Sequence, residues 1–555
     1  MIPALSLVAL PFAAIRAAGG PGRGPLDAGT APDPTGSIEL ILVLLVAATA
    51  LAIAARRFGV PYPALLVIGG LAIGFLPGLP HVELAPEVVF LLFLPPILFG
   101  AGFFTSIRDL RANLAHILSL AVGLVLFTTA VVAAVAHALV PTLDWAAALT
   151  LGAIVAPPDA VAASAVFQRL GVPRRTVAIL EGESLLNDAT ALVLFRFAAL
   201  AATTGAFSLA VAGSTFVVAA VGGVVVGLAI GWLTTQLIRR VDDPVFAVVV
   251  TFFAPLIAYL PATEAGLSGV LSTVVAGIYV GRQSPRLMSS AVRINGLAAW
   301  QILLFLINGS VFILIGLQLP QVLANLAGRP ASELFGLAIA VAAAAIIARI
   351  VWVFVVIYGP KVIRARRARE PLPAARNVTL VSWAGMRGVV SLAAALSLPI
   401  GFPERDLVIF LTFAVILATL VGQGLTLPLV IRKLGIDDGA VAAGQEEAYA
   451  RLVAADAATS ELEQLAARWP GHLELIDNLR AQYDHRTRHE RLRKEADEST
   501  AEAEQELIEH RQIRISVLDA EREALLGLRE RGAISDEVHR VVERDLDLEE
   551  LRMEV

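Results

Sequence analysis

The residues that could do chemistry are concentrated in Glu181-Gly-Glu183-Ser184-Leu-Leu-Asn187-Asp188. This run sits in the first half of an otherwise apolar segment, Thr176 to Leu200. About 20 residues of helix span roughly 30 Å of hydrocarbon, so the segment is long enough to cross a bilayer. A charged side chain near the bilayer centre costs at least about 2.5–3.5 kcal/mol, so these acids must face protein, water or a cation. Glu181, Ser184 and Asp188, at i, i+3 and i+7, share one helical face, and Glu183 and Asn187 form the neighbouring stripe. Hard oxygen ligands of this kind suit Na⁺, Li⁺ or a proton better than a soft metal. The plainer alternative is a polar network that only pins helices together.

Four more charges fall inside apolar segments. Asp159 follows Ala156-Pro157-Pro158, and two successive prolines remove two backbone donors, so that helix should unwind there. Arg387 lies in a matching interruption, Trp383-Ala-Gly385-Met-Arg387-Gly388. Unwound backbone at membrane depth lines cavities in transporters, and corresponding interrupted segments in two halves of a chain point to inverted repeats. The expectation is a charge-compensated crossing of two broken helices, with Asp159 opposite Arg387. Arg349, in Ile346-Ile-Ala-Arg349-Ile, needs an acid, and Glu183 is the candidate because it lies off the Asp188 face. Arg196 either pairs with an acid or lines the external mouth. Glu181 has no assigned role, and His116 and His137 read as structural or interfacial.

The elements that must position these residues are membrane helices. The chain is 57% hydrophobic and only 16% charged over 555 residues, whereas soluble proteins carry about 25% charge. Without cysteine, disulfides and thiolate metal sites are excluded. The eight histidines show no metal-binding spacing, so no structural metal or cofactor is expected. About thirteen spans are legible, with cores near 38–55, 62–79, 86–104, 114–139, 145–166, 176–200, 208–237, 245–260, 265–281, 295–319, 333–357, 377–399 and 406–431. Every second loop is basic: Arg56-Arg57, Arg108/Arg111, Arg169/Arg174/Arg175, Arg239-Arg240, Arg282/Arg286/Arg293 and the run Lys361 to Arg376. By the positive-inside rule the N-terminus is outside and the C-terminus cytoplasmic. The expected fold is an all-α polytopic membrane protein, arranged six, one, six, so that spans five and twelve are equivalent in two inverted six-helix repeats. Three regions follow: 1–36, a loose extracytoplasmic segment; 37–432, the transmembrane part; and 433–555, a charged, helix-favouring cytoplasmic tail in which Ser535 reads as an N-cap.

Pro158-Asp159-Ala-Val, Gly182-Glu183-Ser184-Leu-Leu-Asn187-Asp188, Gly385-Met-Arg387-Gly-Val and Leu94-Pro-Pro-Ile-Leu-Phe99 together resemble the monovalent cation:proton antiporters of the NhaP type, related to animal sodium/proton exchangers. The resemblance covers roughly Ser37 to Leu434, and the end of the tail resembles the cytoplasmic extension of bacterial members. It implies that Asp188 alternately binds Na⁺ and H⁺, with Ser184 and the main chain around Pro158 helping to coordinate the ion. Asn187 with Asp188 resembles the Asn-Asp pair of electroneutral members. Glu183 with Arg349, and Asp159 with Arg387, would be structural ion pairs, and the protein would be a homodimer in the plasma membrane serving pH homeostasis. Two departures leave Na⁺, Li⁺ and K⁺ open as substrates: Gly100 stands where many relatives carry an acid, and Pro158-Asp159 reverses the usual Asp-Pro order.

A K⁺/H⁺ antiporter with the same mechanism is the nearest alternative. An intramembrane aspartyl protease using Asp159 and Asp188 is remote, since neither aspartate has a Tyr-Asp or Gly-x-Gly-Asp context. A passive channel lacks the carbonyl filter or ring of like charges it would need. Nothing in the charge pattern suggests nucleic acid.

Overall fold

The computed structural model describes residues 34–76, 87, 89–205, 209–241, 243–365, 374–436, 438–494 and 500–554. Most of the N-terminal segment expected over 1–36 and part of the basic run from Lys361 to Arg376 lie outside the described residues. The chain divides into two compact units, Met1–Gly439 and Ala440–Val555.

The first unit is helical throughout its described residues, as composition demands, because a backbone in lipid must satisfy its hydrogen bonds within each segment. Seven stretches are long and apolar enough to cross a membrane: Leu114–Leu139, Arg174–Thr204, Gly213–Ile238, Pro244–Glu264, Ser290–Asn325, Ala331–Tyr358 and Arg405–Leu434. The other six expected spans correspond to Pro34–Phe58, Tyr62–Gly74, Val89–Phe104, Gly269–Leu287 and two broken helices. The first broken helix is Trp145–Val155 followed by Ala160–Leu170, and the second is Ala375–Trp383 followed by Val389–Leu396. They are the fifth and twelfth spans, the same place in each six-helix repeat.

Close approach of helices depends on missing side chains at a few points. At the contact between Tyr62–Gly74 and Ser290–Asn325, a Cβ on Gly70 would fall onto the Ile313 carbonyl, and one on Gly316 onto the Val67 carbonyl. Without a hydrophobic force between helices in lipid, such backbone contact is what holds them. Around the broken helices the core is apolar and closed, with Leu66, Phe167, Phe312, Leu380, Met386 and Phe413 buried together.

In the second unit, Thr500–Glu530 packs against Asp536–Glu554. Ser535 caps the last helix by accepting from the Val538 amide at 3.2 Å. Arg522 reaches across to Asp547 at 2.6 Å and Glu550 at 2.5 Å.

Substituting Gly316→Val should therefore force the two helices apart. Overpacking costs about 1–3 kcal/mol, so thermal unfolding of the purified protein should move several degrees lower, whereas Gly328→Val, where a Cβ meets open space, should leave it near the wild-type value.

Candidate functional site

The two broken helices meet at their unwound segments, residues 156–159 and 384–388. The Asp159 amide donates to the Met386 carbonyl at 2.6 Å, joining the two breaks through main chain. Four helix ends thus converge inside the protein. Each carries about half an elementary charge, positive at an N-terminus and negative at a C-terminus, with orphaned N–H or C=O groups.

Side chains answer each pole. Arg387, 1% exposed, turns to the C-terminal end of Trp145–Val155, donating from Nε to the Val155 carbonyl at 3.1 Å. Its other nitrogens donate to the carbonyls of Gly385 and Ala345. Arg349 does the same for Ala375–Trp383, donating from Nε and Nη2 to the Val381 carbonyl at 3.3 and 3.1 Å. Asp159 serves the N-terminal ends. Its Oδ1 accepts from the Val161 amide at 2.8 Å, and a Cβ on Gly388, the N-cap of Val389–Leu396, would fall onto the same carboxylate. Only glycine leaves room for the acid there.

This arrangement corrects one expectation. Among the described residues no ion pair joins Asp159 to Arg387. The reason is that each half-helix end is itself a charge: the acid is held by the positive ends and the guanidinium by a negative one. Arg349, by contrast, carries a carboxylate partner. Its Nη1 and Nη2 lie 2.6 and 2.9 Å from Glu183 Oε1 and Oε2, a two-pronged pair fully inside the protein.

The central helix, Arg174–Thr204, delivers the remaining groups. Ser184 Oγ accepts from the Ala160 amide at 3.3 Å. Asn187 Nδ2 donates to the Pro158 carbonyl at 2.8 Å, while its Oδ1 is buried without a partner. The helix therefore grips the first break on both sides of Asp159. Glu181 accepts from Ser164 Oγ at 3.3 Å. Asp188 is 8% exposed, lies within electrostatic reach of Asp159, and among the described residues no hydrogen bond or ion pair holds its carboxylate. A carboxylate buried without partner is costly, so it must take a proton or a cation. That is what this arrangement can do chemically.

Other expected positions fall outside this cluster. Arg196 is on the exposed side of the central helix. His137 Nδ1 lies 2.7 Å from the Leu143 carbonyl and its ring meets Trp145, a structural role. Gly100 is buried, and a Cβ there would lie 2.9 Å from Leu304 Cδ1, so Leu304 fills the space an acid would take. Sequence reading missed Tyr62, close enough to Asp159 to feel its charge, and Thr419, whose Oγ1 accepts from the Arg387 amide at 3.0 Å. A tyrosine at a helix start carries no signal, but a threonine four residues before Gln423 in an apolar span is one.

Comparison with known proteins agrees with this fold. The family model described as sodium/hydrogen exchanger, transmembrane, matches residues 41–433. An uncharacterized Na⁺/H⁺ exchanger of Mycobacterium tuberculosis is 35% identical over 526 residues, covering 93% of this chain and 96% of that protein. The sodium, potassium, lithium and rubidium/H⁺ antiporter of Bacillus subtilis is 33% identical over 527 residues, 91% of this chain and 77% of the relative. The solved structure of the sodium proton antiporter MjNhaP1 from Methanocaldococcus jannaschii at pH 8 has the same fold, with a TM-score of 0.58, 22% identity, and coverage of 72% of this chain and 99% of that one.

The geometry makes Arg349 dependent on Glu183. Arg349→Leu alone leaves a buried carboxylate and an uncapped helix end, and breaking such a pair costs about 3–5 kcal/mol. Adding Glu183→Gln should recover a measurable part of that loss in thermal unfolding, and a double-mutant cycle reads the coupling.

Proposed function

The chain belongs to the transmembrane sodium/hydrogen exchanger family, and we propose that Asp188 is the group through which it exchanges a monovalent cation for a proton. It is a multi-pass membrane antiporter. The observation that carries the assignment is the contrast within the crossing. Asp159, Glu183, Arg349 and Arg387 are all engaged by helix ends or each other, and Asp188 beside them is not. A carboxylate already bound to a guanidinium or to backbone amides cannot trade ligands cheaply. One with no such partner can.

Asp188 holds either a proton or a cation, and both cannot occupy it together. Ser184, Asn187 and the carbonyls around Pro158 complete an oxygen-rich surround. Because the cross-linked breaks form one body with the central helix, movement of that body carries Asp188 from one side to the other, and transport in one direction is repaid by the other ion. The Asn187 neighbour favours one-for-one, electroneutral exchange. No covalent step is involved, and the protease reading has no support in a family of transporters.

Na⁺ is the first candidate, with Li⁺ and K⁺ behind it. Similarity to the Bacillus relative named for four cations and the glycine at position 100 favour a tolerant site. The basic loops support an external N-terminus and a cytoplasmic C-terminus in the plasma membrane. We also propose that the protein works as a homodimer in pH homeostasis, with residues 433–555 as its cytoplasmic regulatory part.

In liposomes with an internal pH dye, adding NaCl, LiCl or KCl outside an acid interior should alkalinise it. Asp188→Asn should reduce the rate by at least about a hundredfold, as loss of an essential proton-transfer group does, with thermal unfolding unchanged or raised. Normal exchange by that variant would rule out Asp188 as the carrier.

A further inference from the structure

One carboxylate of the central helix takes no part in holding the crossing together. Glu181 is half-buried and lies seven residues before Asp188. Two turns of helix put the two acids on the same face, about 10 Å apart along the axis. The neighbours of Glu181 face elsewhere: a Cβ on Gly182 would fall onto Ile117 Cδ1, and Leu180 is buried in the apolar core. Glu181 itself faces the half-helix Ala160–Leu170, whose Ser164 donates from Oγ to Oε1 at 3.3 Å. That bond is the last of three rungs between the two helices. Asn187 donates to the Pro158 carbonyl, Ser184 accepts from the Ala160 amide, and Glu181 accepts from Ser164. Glu181 and Ser184 thus line a polar seam that runs along the helical face carrying Asp188.

The charges around this seam do not cancel. Arg349 and Arg387 contribute two positive charges and Glu183 and Asp159 two negative ones, each held by its partner or by a helix end. Asp188 adds one negative charge when free and none when it holds a monovalent cation. Glu181 adds a further negative charge, and among the described residues no basic group pairs with it. A charge inside a membrane segment is expensive. Ser164 does not require it, because the amide oxygen of a glutamine would accept the same hydrogen bond. What a glutamine would not supply is the charge, and a cation on the same seam is what that charge acts upon.

We infer that Glu181 is a positioning residue for the transported cation, whose negative charge raises the affinity of Asp188 for the ion without touching it. Opposite unit charges about 10 Å apart in a partly screened site attract strongly enough to change a binding constant several-fold. Glu181 and Asp188 ride on one helix, so their separation is the same whichever side of the membrane the body faces. The same field acts on the proton. Glu181 therefore sets the concentration range over which both ions bind and leaves their competition intact. The inference rests on the antiport reading and adds to it a residue that acts through its field rather than as a ligand.

The test compares full-length wild type with Glu181→Gln, Glu181→Asp and Ser164→Ala in the liposome assay, at a pH alkaline enough that proton competition no longer raises the KM. Glu181→Gln should raise the apparent KM for Na⁺ about fivefold, as loss of a charge at this distance does. Its maximal turnover should stay within about twofold, the mark of a change in binding alone, and its thermal unfolding near the wild-type value. Glu181→Asp keeps the charge and Ser164→Ala removes only the hydroxyl, so both should hold the KM within about twofold of wild type. An unchanged KM in Glu181→Gln would overturn the inference. So would a KM raised equally in Ser164→Ala, which would make the Glu181–Ser164 bond a structural tie, or a fall in turnover with the KM intact. If wild type exchanges no cation, or Glu181→Gln is as inactive as Asp188→Asn, the reading of Asp188 as sole carrier fails as well. If Asp188→Asn is inactive and Glu181→Gln matches wild type, only this inference fails.

Discussion

Four helix ends brought together away from water are the constraint on which this structure depends. Each end exposes backbone groups that lipid cannot satisfy and a partial charge that a low-dielectric interior magnifies. The chain meets this with three charged side chains placed by pole. Arg387 and Arg349 serve the two C-terminal ends and Asp159 the N-terminal ones. Glu183 balances the second arginine. The glycine at 388 exists for the same reason, since any side chain there would occupy the space of the Asp159 carboxylate.

Once the poles are compensated, the site has a simple electrostatic form. Structural charges at the crossing are bound tightly and in defined geometry, and the carboxylate beside them that no described group holds, on Asp188, is the one we propose as exchangeable. The central helix couples the two, because Ser184 and Asn187 hold the first break on the residues that flank Asp159. On the proposed mechanism, a proton or cation bound at Asp188 would be sensed by the backbone of the crossing through these two bonds. Binding energy at one carboxylate would then become a bias on the position of the whole body, without any long-range pathway.

Much of this was legible in the chain. The thirteen spans follow from hydropathy and loop charge, and the breaks from Pro157-Pro158 and from Gly385 and Gly388 flanking Arg387. Glu183 and Arg349 could be matched because each is an isolated charge in an apolar helix. Asp159 and Arg387 were mismatched on the same reasoning, because a sequence displays side-chain charges and hides the charges of helix ends. Thr419 was passed over although a threonine in an apolar span is a signal, because its bond to the Arg387 amide depends on how distant segments pack. The shape of Leu304 over Gly100 likewise depends on packing between distant segments.

The central claim, that proton and cation compete for one carboxylate, is tested most directly by the pH dependence of cation affinity. Initial exchange rates should be measured in liposomes over a range of Na⁺ concentrations at each pH, on the side where Na⁺ binds. Competition at a single site predicts that, on the acid side, the apparent KM for Na⁺ rises about tenfold for each unit fall in pH, as linkage to one proton requires, while maximal turnover at saturating Na⁺ stays constant. A KM that stays fixed while maximal turnover falls would place the proton at a separate group and contradict the account.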